Sequence, residues 1–363
     1  VCAVRSQQRS IISRLTLGRD APVAVLASTL YWHLPPRSKG GPRKLARQFI
    51  SFADSRQDAA FFAPYLERTF DRILWRRVLW QAVADNLRDA AEWDVANLQR
   101  VAREIAQRAG IVPSQPPRQA DDEAWRHVLG EFIRLDRHND LEAAGLLSFR
   151  PFRPETWAIP SFLREEPLSL SDQEAWTLCE LLLNTLRIYG AVAFPGRGNI
   201  VPEDDFFAPR NHKTLVVMTG GRRPHLNWVT ISPSGSLNLR MDFLLRLLGA
   251  NDEGAIETAR GYMRRLWDHL TDRCGELLKV ADRRNGVISR RLSLDWWCLA
   301  ASELGNAQWY RCGTCRKLTV FNLRNLCPQY RCRGTLEPCD PREALADHHY
   351  RRLYSMSPED TPL

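Results

Sequence analysis

An α+β fold, mostly helical, is what this 363-residue sequence predicts, and three observations carry it. Apolar residues recur three and four apart over long stretches, as at Phe62, Leu66, Phe70 and Ile73, which places them on one face of a helix. After Gly190 come short apolar runs separated by Gly, Pro and Ser, the pattern of strands joined by turns. Five of the nine cysteines then crowd between Cys312 and Cys339, which marks a small, loop-rich unit.

Taken in order, residues 21–34 read as a short apolar helix stopped by Pro35-Pro36. Phe49-Ile50-Ser51-Phe52 reads as a buried strand that ends in the polar turn Ala53-Asp54-Ser55-Arg56. From Gln57 the helical pattern runs with few breakers to about Ala109, with Arg68, Arg72 and Arg76 aligned on a second face. A proline-rich linker at 111–120 precedes a helix over roughly 121–137, and a second proline-rich connector runs from Arg150 to Pro167. Ser171 with Glu174 three residues on forms a capping box, so a helix is expected from there to Tyr189-Gly190. Strands are expected at 191–194, 214–218, 226–231 and 237–241, and helices at 242–280 and 293–305. A helix packed on a small antiparallel sheet would make 171–241 a winged-helix-like subdomain. Its basic tip, Gly220-Gly221-Arg222-Arg223, would then reach a nucleic-acid backbone; the alternative is a plain structural spacer.

The formal net charge of +9 suits a polyanionic partner, although solubility alone also accounts for it. No run of eighteen apolar residues occurs, which argues against a membrane helix. Val1 to Arg14 lack an apolar signal segment, so a cytoplasmic protein is expected. An odd number of clustered cysteines there argues against a disulfide framework and for a metal. Cys179, Cys274 and Cys298 sit among apolar residues and read as small buried hydrophobes.

Cys312-Gly313-Thr314-Cys315, followed by Cys327 and Cys332, supplies two thiolate pairs at a spacing that surrounds one tetrahedral zinc ion. Four thiolates close the coordination sphere, so the site would be structural. Cys339 could replace Cys332, and His348 or His349 could compete for the fourth position. Gly313 and Gly334 are the permissive residues such turns use. Trp309, Tyr310, Arg311, Arg316, Lys317, Arg324, Tyr330, Arg331 and Arg333 surround the knuckle. They could stack on bases and grip phosphates, or the aromatics could simply cover a knuckle too small for its own core.

Two stretches, Phe49 to Glu67 with its Asp-Ser-Arg-Gln-Asp-Ala-Ala run, and Trp309 to Tyr354 with its cysteines and Arg-Arg-Leu-Tyr end, resemble one family. They are similar to large bacterial superfamily-two DEAD/DEAH-type helicases of the Lhr-like and MrfA-like group, found in repair and anti-phage defence loci. The resemblance covers about a fifth of the chain and implies that Phe49–Glu67 is motif four, the start of a second RecA-like lobe. A helix start there favours a phosphate. Ser55 would donate to it and Arg56 would add a charge-assisted bond; the alternative is that Asp54 and Ser55 only cap the helix. No GxxxxGK[ST] run, no Asp-Glu box after an apolar strand and no Gln-x-x-Gly-Arg-x-Gly-Arg run occurs, so no catalytic or nucleotide-binding residue is expected here.

The implied organisation is a lead-in segment at 1–43 and the start of the RecA-like lobe at 44–90. A largely helical insertion at 91–305, the zinc knuckle at 306–340 and a return toward the motor at 341–363 follow. The chain reads as an internal part of an ATP-dependent helicase or translocase on DNA, with RNA possible. ATP and magnesium would act only in the complete parent protein, and the missing lobe of the same chain would be its partner. The alternatives are a stand-alone zinc-ribbon nucleic-acid-binding module and an interaction scaffold in a defence or repair complex.

Overall fold

The computed structural model describes Leu30 and residues 37–38, 45–46, 56–112, 116–195, 200–202, 204–207, 215–221, 225–230, 237–249, 252–284 and 286–358. The chain divides into two compact units, Val1–Arg77 with Met356–Leu363, and Val78–Ser355. Among the described residues no helix is long and apolar enough to cross a membrane.

In the first unit, β1 (Arg37–Ser38) and β2 (Leu45–Ala46) pair antiparallel. Helix α1 (Arg56–Ala84) begins in this unit, where the Ala53–Arg56 turn was expected to end, and its residues from Val78 on belong to the second unit. The expected strand at 49–52 and Ser55 lie outside the described residues, and of Arg56 only the backbone is described.

In the second unit the helical stretch that the sequence runs to Ala109 is broken twice. α1 ends at Ala84, α2 covers Leu87–Ala90 and α3 covers Val95–Arg108. Two short polar side chains make the breaks. Asn86 donates its amide to the Ala82 carbonyl, and Asp94 caps α3 by accepting from Asn97 N at 2.7 Å. Helix α4 (Pro117–Phe132) starts with proline in its first turn, where no donor is lost, and stops five residues before the expected 137. The chain then turns at Arg134, held at φ 55° while its guanidinium bridges Asp140 and Glu142.

The centre of this unit is α6 (Asp172–Ile188), which follows the short helix α5 (Ser161–Arg164). The expected capping box is present, with Ser171 Oγ accepting from Glu174 N and the Glu174 carboxylate from Ser171 N. Twelve residues of α6 are buried, including Glu180 and Arg187. Buried charges need partners. Glu180 accepts a forked pair of bonds from Arg150, and Arg187 donates to Glu142 at 2.7 Å and to the Phe132 carbonyl. Burial nevertheless pushes the Glu180 carboxyl above its ordinary range.

Three sheets are found among the described residues of this unit. β3 (Ser148–Pro151) pairs antiparallel with β8 (Trp297–Ala300). A four-stranded sheet has the order β5-β4-β7-β6, from β4 (Leu215–Val217), β5 (His225–Asn227), β6 (Leu278–Arg284) and β7 (Val287–Leu292). The third is the sheet of the cysteine knuckle described below.

Several expectations fail here. β4 and β5 run parallel, so the turn between them is not the tip of an antiparallel wing. Gly221, on the β4 side of that connection, is closely packed. Gly221 N donates to Asn227 Oδ1 at 2.8 Å, and a Cβ on Gly221 would lie 2.5 Å from Val217. Arg222 and Arg223 lie outside the described residues. Residues 237–241 are not a strand but the cap and start of α7 (Leu239–Leu248), because Asn238 accepts from Met241 N at 2.9 Å. The helix expected over 242–280 ends with α8 (Glu253–Arg273), and 278–292 form the β6–β7 hairpin. The helix expected at 293–305 is a short 3-10 turn followed by β8.

Candidate metal centre

The knuckle sheet has the order β10-β9-β11, from β9 (Trp309–Cys312), β10 (Leu318–Thr319) and β11 (Leu336–Cys339). Cys312 is the last residue of β9, and the turn to β10 lifts Cys315 beside it. Two backbone bonds fix that turn, Arg316 N to the Cys312 carbonyl at 3.0 Å and Cys312 N to the Lys317 carbonyl at 3.1 Å. The second loop brings Cys327 and Cys332 up from below. Cys327 N donates to the Gly334 carbonyl and Cys332 N to the Gln329 carbonyl.

All four sulfurs lie within 4.8 Å of one another. Cys312 Sγ is 3.7 Å from Cys332 Sγ, and Cys315 Sγ is 3.6 Å from Cys327 Sγ. A disulfide would need about 2.05 Å. The edge of a tetrahedron built on Zn–S bonds of about 2.3 Å is ~3.8 Å, so the thiol group has the size and chemistry of a closed structural zinc site. Backbone N–H groups of Cys315 and Gly334 point at the sulfurs of Cys312 and Cys332, both at 3.5 Å. Burial raises the Cys312 thiol, but the N–H groups of Cys315 and Thr314 outweigh it and bring it down to about 7. Burial pushes Cys315 and Cys327 up.

The two knuckle glycines differ in a way their sequence positions hide. A Cβ on Gly334 would lie 2.4 Å from Cys312 Sγ and 2.7 Å from Thr314 Cβ, so the residue is there for close approach. A Cβ on Gly313 would meet only the Thr335 carbonyl, at 3.8 Å. The left-handed backbone that tight turns need falls instead on Arg316 (φ 62°), Arg324 (φ 51°), Asn325 (φ 58°) and Arg331 (φ 56°). A non-glycine residue there costs about 1 kcal/mol or more.

Two arginines fasten the knuckle to the rest of its unit. Arg246 on α7 donates to the carbonyls of Cys327 and Cys332, both at 2.7 Å, and of Gln329 at 3.2 Å. Asp242, one turn earlier, pairs with Arg246 and accepts from Arg331 N at 3.0 Å. A cation on the carbonyls behind two thiolates suits a site whose four thiolates exceed the charge of Zn²⁺ by two. Arg324 reaches Glu174 at 3.0 Å and the Leu168 carbonyl at 2.9 Å, which ties the second loop to the start of α6.

The other ligands weighed from sequence stand apart. Cys339 lies three residues along β11 from Leu336, the partner of Cys312, which is about 10 Å of strand. His348 caps α9 (His349–Tyr354) by accepting from Arg351 N at 3.4 Å, and neither it nor His349 joins the four-sulfur group.

Of the aromatic and basic neighbours, Trp309 is 1% exposed and Tyr310 packs against the cysteines, so both cover the knuckle. Arg324 is committed to Glu174. Arg316, Lys317, Arg331 and Arg333 are exposed, as is Tyr330 at 44%. The Arg331 guanidinium sits 5.0 Å over the Tyr330 ring and Lys317 donates to Gln329 at 3.0 Å. Among the described residues no carboxylate neutralises these four cations. Comparison with protein-family models, with curated proteins and with solved structures finds no match.

Proposed function

We propose that this chain is a nucleic-acid-engaging part of an ATP-dependent helicase or translocase, in which a structural zinc ion holds a cationic rim against the strand. The observation that carries the contact is the rim itself. Arg316, Lys317, Arg331 and Arg333 stand exposed around four clustered thiols, with Tyr330 beside them as a stacking face. Membership of a motor rests on the resemblance of Phe49–Glu67 and Trp309–Tyr354 to DEAD/DEAH-type helicases. On this reading the strand is DNA, and phosphate chemistry belongs to segments that carry a P-loop and its metal-holding acid. Residues 1–363 alone then turn over no ATP, with or without DNA.

The test is the salt dependence of binding to a labelled single-stranded oligodeoxynucleotide. Each phosphate contact on a single strand contributes about 0.7 to the slope of log K against log salt. The double variant Arg331→Ala/Arg333→Ala is expected to bind more weakly and with a slope smaller by about 1.4. An unchanged affinity and slope removes the rim from the interface, and no binding by the wild-type chain at low salt removes the function.

A further inference from the structure

A cleft of about 610 Å³ opens far along the sequence from the knuckle, between α3, α4, residues 193–195 and the foot of the β6–β7 hairpin. That volume lies within the range of small-molecule sites. Its apolar walls are the half-buried Trp125, Phe194 and Pro195. The Phe194 ring is braced edge-on by Phe207 at 5.2 Å, whereas Trp125 has no ring partner and its indole N–H no acceptor among the described residues. The polar groups in the walls are already paired. Gln99 donates to Asp121 at 2.8 Å, and Asp295 accepts from Lys279 at 2.6 Å and from Ser293 at 3.1 Å. Paired charges with two carboxylates among them repel a free anion. They suit a flat, neutral guest that stacks on aromatic rings and offers hydrogen-bonding edges.

Directly above stands the hairpin. From Lys279 to Ile288 its described side chains are exposed except for the half-buried Asp282, so this stretch leaves the body of the unit. Its length is about 20 Å. It carries Lys279, Arg283, Arg290 and Arg291 together with the exposed apolar residues Val280, Val287 and Ile288. Cross-strand pairing puts Arg283 beside Ile288 and Val280 beside Arg290, so cations and apolar side chains share one face.

We infer that this cleft takes an unpaired nucleobase of a single strand, with Trp125 and Phe194 as the stacking faces and the β6–β7 hairpin holding the adjoining phosphates. The inference rests on the proposed nucleic-acid function and adds a second contact surface to it. The two parts are complementary in the way a nucleotide requires: stacking faces and neutralised polar groups for the base, an excess of positive charge within one strand length for the backbone.

The experiment uses the 363-residue chain and a fluorescein-labelled thymidine 20-mer at low salt. Alanine at a stacking position weakens single-strand binding by at least about fivefold, so Trp125→Ala and Phe194→Ala should each do so, and Arg283→Gln should reduce the salt slope. A 20-mer carrying 5-iododeoxyuridine, irradiated on the wild-type protein, should cross-link within the peptides holding Trp125 or Phe194; this arm needs no variant to fold. Cross-links confined to the knuckle, with Trp125→Ala binding as wild type, overturn the cleft and leave the rim reading standing. No binding at all overturns both. A proline-rich peptide that displaces no oligonucleotide yet loses affinity in Trp125→Ala assigns the cleft to a peptide and also overturns the inference.

Discussion

Gly334→Ala, compared with Gly313→Ala, is the sharpest perturbation of the metal centre. The added methyl at 334 would sit 2.4 Å from Cys312 Sγ, more than 1 Å inside normal contact, and 2.7 Å from Thr314 Cβ and Oγ1. None of these atoms is the end of a flexible side chain. Cys312, a candidate ligand, sits at the end of a strand, and Thr314 lies inside the CxxC turn. One sulfur must move, or the second loop must open. Overpacking of this kind costs about 1–3 kcal/mol. Metal binding and local folding share their free energy in such a knuckle, so the cost should appear as zinc affinity lowered roughly 5- to 150-fold. At Gly313 the new methyl meets one carbonyl oxygen at 3.8 Å, an ordinary contact, on a backbone outside the left-handed region. Affinity there should stay within about twofold of wild type, a difference of about 0.4 kcal/mol. Competition for zinc against a colorimetric chelator under reducing conditions measures both. Equal losses in the two variants, or none in Gly334→Ala, would refute the steric argument.

Other consequences follow from the same contacts. Cys315→Ser should abolish zinc binding and expose 309–340 to protease, whereas Cys339→Ser should retain one zinc per chain by elemental analysis. Zinc uptake at pH 7 should release at least two protons, because burial keeps Cys315 and Cys327 protonated without metal; affinity therefore rises with pH, and titration in weak buffer reads the protons directly. Arg316→Gly should raise the melting midpoint by relieving a left-handed backbone, a gain of about 1 kcal/mol. Arg187→Leu removes one of the two arginines on buried Glu142 and should destabilise Val78–Ser355 by about 3 kcal/mol in urea titration.

The four sulfurs were legible in the sequence because both pairs are local: a CxxC turn and a four-residue loop fix each pair without the rest of the fold. The residues that seat them were not. Arg246 is 81 and 86 positions from the carbonyls it holds, and nothing in its helix marks it apart from other surface arginines. Gly334 was noticed, but for backbone freedom and not for the sulfur packed against it. The β6–β7 hairpin was missed although the sequence between its strands holds Asn285-Gly286, a strong two-residue turn signal, and Gly286 has φ 76°. The helical spacing of α8 was carried past Cys274 and hid the switch to alternation. At 237–241 the alternation of Leu237, Leu239 and Met241 suggested a strand, yet Asn238 is a helix cap, and capping chemistry outweighed a five-residue pattern. The wing failed for a different reason: sequence marks the turns between strands but not whether the strands run parallel.

The most direct test of a zinc-held nucleic-acid rim is oligonucleotide affinity measured on one preparation as purified, after zinc is stripped by a chelator under reducing conditions, and after zinc is restored. The account predicts one zinc per chain at the start, weaker single-strand binding with a shallower salt dependence once it is removed, and recovery with zinc but not magnesium. Protein that carries no zinc as purified, or that binds the strand equally well before and after stripping, would contradict it.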